Sequence, residues 1–140
     1  MTRTFDETGI HFRFPTNWKI EREENADGWT AMVQSPATAF MMVCLREDMP
    51  ATENLVDTTL AALKEDYPQL EAAARSETFA GQPAVGHDIE FFSFDFTNTC
   101  WTRSFYSTYG TVLVLCQTCD QEDNEDVLRA MCASMTVDEE

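Results

Sequence analysis

VGHDIEFFSFDFTNTCWTRSFYSTYGTVLVLCQTC, residues 85–119, reads as three consecutive strands with two short interruptions. Thr97, Asn98 and Thr99 supply turn chemistry at the first break and Gly110 at the second, so the expected strands run 85–96, 100–109 and 111–119. Strands joined by turns this short pair antiparallel, because parallel neighbours need a long crossover between them. Upstream, Gly81-Gln82-Pro83 is another turn and 70–79 another strand. The second half of the chain is therefore expected to be an antiparallel meander.

The first half has the same character. Ile10, Phe12 and Phe14 alternate with His11 and Arg13, the period-two pattern of a half-buried strand, until Pro15-Thr16-Asn17 breaks it. A second strand restarts at 18–21, and the polar run 23–28 is a turn. Trp29, Ala31 and Val33 then alternate with Thr30, Met32 and Gln34. The nearly continuous apolar run 40–45 suits a central strand covered on both faces. Thr52 can cap a helix over about 53–66, where Val56, Leu60, Leu63 and Tyr67 recur at helical spacing and Pro68 stops the pattern. Asp120 can cap a closing helix over about 121–135, with Glu122 and Asp123 in its first turn and Val127, Met131 and Met135 as its buried stripe. The tail Asp138-Glu139-Glu140 should fray. With no repeat or linker, residues 1–140 are expected to form a single α+β domain, an antiparallel sheet flanked by helices in an α/β/α sandwich.

Composition narrows the classes of function. At 140 residues, with 44% hydrophobic residues, ten Phe and three Trp, the chain can bury a real core without staples. Twenty-five acidic against nine basic residues give a formal charge of −16. Such a field repels phosphate backbones and anionic membrane surfaces, which argues against nucleic acid as a partner. Neither a signal-peptide core nor an apolar stretch long enough to span a membrane is visible. Five cysteines, an odd number at low density, fit reduced thiols. The expectation is a cytoplasmic protein.

Residues 9–18, GIHFRFPTNW, carry a strand through a proline to a tryptophan. Together with the helix ending near Pro68, the Gly81-Gln82-Pro83-Ala84 turn and a late aliphatic strand before a closing helix, this layout resembles the PsbP/DcrB-like superfamily. That group also holds a Ran-binding protein and type VI secretion adaptor chaperones. The resemblance covers nearly the whole chain and implies a central antiparallel sheet with flanking helices. It also implies a habit of binding other proteins. No catalytic motif is part of it.

Among candidate sites, Cys116-Gln117-Thr118-Cys119 is the one motif with possible chemistry, since two thiols at this spacing form redox disulfides or half a zinc site. Only Cys100 and Cys132 could complete such a metal site. His11 and His87 are the only histidines, and no G-x-S-x-G or papain-type signature accompanies them, so satisfied or solvent-facing histidines are expected. The acidic run 120–126 holds five carboxylates but no Gly, unlike a calcium loop. The glycines are scattered singly, which leaves no phosphate-cradling loop and no cofactor motif.

Residues 90–96, EFFSFDF, are more telling. Val85, Ile89 and Phe91 share one face of a strand, whereas Phe92, Phe94 and Phe96 share the other. Either both faces are covered, by helices or through a bulge, or an aromatic surface stays open to a partner. Trp101, Phe105 and Tyr109 could extend that surface from the next strand, and Met32, Met41 and Met42 offer adaptable apolar contacts nearby. The leading expectation is a non-enzymatic protein-binding or adaptor domain using this face, with a basic or apolar segment as partner. The alternative is a thiol redox or metal-binding protein using Cys116 and Cys119. A small-molecule pocket between sheet and helix is a third possibility.

Overall fold

The computed structural model describes residues 1–120 and 124–138. In chain order the elements are β1 (Thr2–Glu7), β2 (Ile10–Pro15), β3 (Lys19–Asn25), β4 (Gly28–Gln34), β5 (Phe40–Arg46), α1 (Thr52–Asp66), β6 (Glu71–Phe79), β7 (Gln82–Ser93), β8 (Phe96–Ser107), β9 (Gly110–Cys119), α2 (Glu125–Ala133) and β10 (Thr136–Val137). Seven strands form one antiparallel sheet in the order β3-β4-β5-β9-β8-β7-β6, and β1-β2-β10 form a second, smaller one. The α+β class with a sheet and flanking helices is as the sequence predicts.

Period-two alternation sorts the large sheet into two faces. On one, Trp29, Val33, Met41, Val43, Leu45, Val112 and Val114 are buried against Phe5, Phe12 and Phe14 of the small sheet and against Leu128, Met131 and Met135 at the closing helix. On the other, Ile89, Phe91, Cys100 and Leu115 are buried beneath Leu60, Leu63 and Tyr67 of the α1 segment. The helical stripe expected from Val56 onward thus meets the sheet, where α1 packs chiefly on β7, β8 and β9. Phe40, Met42 and Cys44, on the α1 side of β5, are consequently half-buried, while Met41, Val43 and Leu45 are fully buried. The central strand anticipated at 40–45 is therefore completely covered on one face and partly on the other.

Several sequence expectations need correction. Residues 2–7 form β1, although their polar composition gave no strand signal; only Phe5 of this strand is buried, stacked on Phe12 at 4.8 Å. Thr97, Asn98 and Thr99 are not a turn but the start of β8. The reversal occurs at Phe94 and Asp95, whose φ angles of 53° and 66° are both left-handed. Two such residues make the hairpin turn whose twist matches the flanking strands, and Ser93 pairs with Phe96 across it. Neither helix has the expected side-chain cap. Ala51 occupies the N-cap position of α1, with Thr52 already helical, and Asn124 occupies that of α2. Asp120 lies before that helix, its backbone N–H donating to the Thr97 carbonyl at 2.9 Å. The expected first turn at 121–123 lies outside the described residues. In α2 the buried residues are Leu128 and Met131, with Val127 only partly covered.

Candidate functional site: the hairpin tip and its flanking cavities

The β7–β8 ribbon extends past the elements that cover its middle. At its tip Phe92 and Phe94 are 74% and 90% exposed, the two largest exposures among the aromatic side chains. Phe96, beside them, is half-buried. Behind the tip, Phe91 turns inward and stacks on Tyr67 at 4.0 Å between ring centroids. Sequence alternation explains the split: Phe91 shares a face with Ile89 and lies under the α1 segment, whereas Phe92 points to the face that no described element covers at this level. Phe94 sits in the turn itself and belongs to neither face.

Two open cavities share the Tyr67–Phe91 stack. One, of about 420 Å³, is also lined by Leu70 and Phe92 and by the carboxylates of Asp66, Glu71 and Glu90. The other, of about 380 Å³, is lined by Phe94, Phe96, Asn98 and Cys119 among others. The tip is thus an apolar promontory with a groove on either side, and the first groove is rimmed by negative charge. Such an arrangement can accept an apolar side chain and hold a cation beside it.

Three of the aromatic residues that the sequence groups with this surface lie elsewhere. Trp101 and Phe105 are 1% and 0% exposed and belong to the core. Phe105 stacks on Phe79 at 5.7 Å, and the Arg129 guanidinium lies 3.9 Å above the Trp101 ring. They are buried because α2 and the small sheet cover the middle of β8. Tyr109 is exposed but occupies the turn between β8 and β9, at the opposite end of β8 from Phe94, where its ring packs against Gly9. Of the methionines, Met41 is buried, and Met32 and Met42 are half-buried on the α1 side.

The thiol motif separates. Cys116 and Cys119, three residues apart in a strand, face opposite sides of the sheet. Cys116 is buried in the main core, with its Sγ 3.5 Å from that of Cys132 in α2, while Cys119 reaches the second groove. Burial pushes the Cys116 thiol well up, and Cys100, on the α1 side, up to about 12. No cluster of three or more metal-ligating side chains occurs among the described residues. The histidines are also apart. His11 bridges Asp6 and Asp138 at 3.0 and 2.8 Å on the small sheet. His87 is half-buried in β7, its Nδ1 without a hydrogen-bond partner.

Sequence reading passed over Arg103, which is 3% exposed. Its guanidinium donates to Asp88 at 2.8 Å, to Glu77, and to the Thr102 carbonyl at 2.7 Å. Arg75 approaches Asp88 from the edge strand, also at 2.8 Å. Burial pushes the Asp88 carboxyl up, but the hydrogen bonds from Arg103 and Arg75 outweigh it and hold the group below its ordinary value. Gly86, the register partner of Arg103, has no room for a side chain: a Cβ there would stand 1.7 Å from the Thr102 carbonyl oxygen. The signal was a charge between Trp101 and Phe105, on the same strand face as two core aromatics.

No protein-family model and no curated protein matches the sequence. Among solved structures the chain is similar to LpqN of Mycobacterium tuberculosis, described as involved in cell envelope biogenesis, with a TM-score of 0.56 and 12% identity over 99% of this chain and 91% of that one. It is also similar to PA94 of Pseudomonas aeruginosa, a protein of unknown function, with a TM-score of 0.49 and 9% identity over 91% of each chain. The likeness to LpqN establishes a shared fold. No described helix is long and apolar enough to cross a membrane.

Proposed function

We propose that this chain is a non-enzymatic protein-binding domain that receives an apolar side chain flanked by basic residues at the β7–β8 hairpin tip. The observation that carries this reading is the pair Phe92 and Phe94, almost bare to solvent beside two grooves that share an aromatic wall. Contiguous exposed aromatics on a small domain mark contact surfaces, and large rings inserted into a partner supply most of the energy of an interface. The carboxylates of Asp66, Glu71 and Glu90 select a Lys- or Arg-bearing segment. The same charges, with −16 on the whole chain, disfavour an anionic lipid surface or a nucleic acid. The resemblance of the sequence layout to the PsbP/DcrB-like superfamily, whose members bind other proteins, supports a binding role. Five free cysteines favour a reducing compartment, the cytoplasm.

Selection of displayed random peptides against the wild type and Phe94→Asp tests the reading. The wild type should enrich peptides with an aromatic or large aliphatic residue next to Lys or Arg. Phe94→Asp should lose them while keeping its thermal unfolding transition. Peptides that bind both proteins equally, or no enrichment at all, overturn the reading.

A further inference from the structure

On the far side of the sheet from the Tyr67–Phe91 stack, an opening of about 290 Å³ lies between α2 and the edge of the large sheet. Glu77, Trp101, Arg103, Arg129 and Cys132 line it. Cys132 is half-buried there, and directly behind it stands Cys116 of β9, fully buried, with the two sulfurs 3.5 Å apart. That separation is about 1.5 Å more than an S–S bond of about 2.05 Å. The pair joins a sheet strand to a helix, so nothing in the local sequence spacing announces it.

We propose that Cys132 and Cys116 form a reversible redox pair, in which Cys132 meets small disulfides through this opening and Cys116 resolves the product.

The surroundings favour this chemistry. Either sulfur can donate across the 3.5 Å contact, and the hydrogen bond with Cys116 lowers the Cys132 pKa; burial acts against that, while Trp101 and the cations Arg129 and Arg103 add to the lowering. Burial raises the pKa of Cys116, so the more accessible Cys132 is the better placed of the two sulfurs to attack first. The reaction proceeds in two exchanges. The Cys132 thiolate attacks one sulfur of a small disulfide RSSR, whose S–S bond breaks, giving a mixed disulfide and RS⁻. The Cys116 sulfur, its proton passing to RS⁻, then attacks the Cys132 sulfur and expels the second RS⁻, which takes a proton from water. Two protein thiols are oxidised to one disulfide, and RSSR is reduced to two RSH. The new bond staples α2 to the central sheet.

Oxidised glutathione is the probe, followed by alkylation with iodoacetamide, digestion and mass spectrometry of the intact, folded chain. Before oxidation, Cys132 should be alkylated ahead of Cys116 and Cys100. After oxidation, its labelling should be lost, and a peptide pair linking Cys116 to Cys132 should appear two hydrogens lighter and revert with dithiothreitol. Cys116→Ser should stop at the glutathione adduct on Cys132, and the cross-linked wild type should unfold at a higher temperature than the reduced protein. The proposal is overturned if Cys132 resists both reagents until the protein unfolds. It is equally overturned if the cross-link joins other cysteines as readily. The wild-type labelling needs no variant, so a substitution that fails to fold leaves the test intact.

Discussion

In the middle of the β7–β8 ribbon Trp101 and Phe105 are sealed beneath α2 and the small sheet, whereas at its end Phe92 and Phe94 stand almost bare. All four are large aromatics of one hairpin, three on its paired strands and Phe94 in its turn. Their different fates follow from the covering elements. The small sheet and the closing helix reach only the middle of the ribbon, and α1 shields only the side to which Phe91 points. Aromatic content alone therefore does not assign a role to a strand residue. Reach of the neighbouring layers does.

The contrast can be broken by mutation, most forcefully at its buried end. Trp101→Ala should cost about 3–5 kcal/mol of unfolding free energy, because the residues around a buried indole cannot collapse into the space it leaves. Denaturant unfolding followed by circular dichroism measures this, and a loss below about 1 kcal/mol would mean that the ribbon's middle is not core.

Next in size is the charge held inside that end. Arg103→Met should cost about 1–3 kcal/mol at neutral pH by leaving Asp88 and Glu77 without their shared donor. The pH dependence has a definite sign. Asp88 has a folded-state carboxyl below its ordinary value, so its contribution is complete above the ordinary pKa of about 3.9. It is lost as pH falls from there towards the folded-state value. Wild-type stability should therefore decline through this acid window, and Arg103→Met should decline less steeply; parallel curves would remove the network from the account.

At the exposed end the stability change should nearly vanish. Phe94→Asp should shift unfolding by no more than about 0.5 kcal/mol while abolishing binding of the selected peptides, measured by fluorescence anisotropy. A destabilisation comparable with that of Trp101→Ala would erase the distinction between the two ends. The smallest expected effect is on association rate: raising salt should slow capture of a Lys-bearing peptide, since the carboxylates beside Phe92 lie within the screening length. A salt-independent rate would leave the aromatic contact but remove charge from the recognition.

Much of the fold was legible along the chain. Alternation at Ile10, Phe12 and Phe14, at Trp29, Ala31 and Val33, and the helical spacing from Val56 to Tyr67 all report periods that the backbone itself imposes. The strand at 2–7 was not legible, because a polar edge strand with one buried Phe carries no period of its own. The turn was misplaced because Thr-Asn-Thr has the chemistry of a turn, while Phe94-Asp95 takes left-handed angles only as the short link between two long paired strands.

The candidate site was half legible. That residues 90–96 carry apolar side chains on both faces follows from the sequence alone, since period two assigns each side chain to a face whatever surrounds it. Which face is covered does not, because burial is set by elements distant in the chain. Leu128 and Met131 of α2 lie in the core with Trp101 and Phe105, the α1 segment seals Phe91, and no described element seals Phe92 and Phe94. The same reason separates Cys116 from Cys119, its neighbour in sequence, and brings it to Cys132. Local periodicity determined most of the strands, the first helix and the orientation of their side chains; only the packing of layers decided which of those side chains became core, which became surface, and which thiols met.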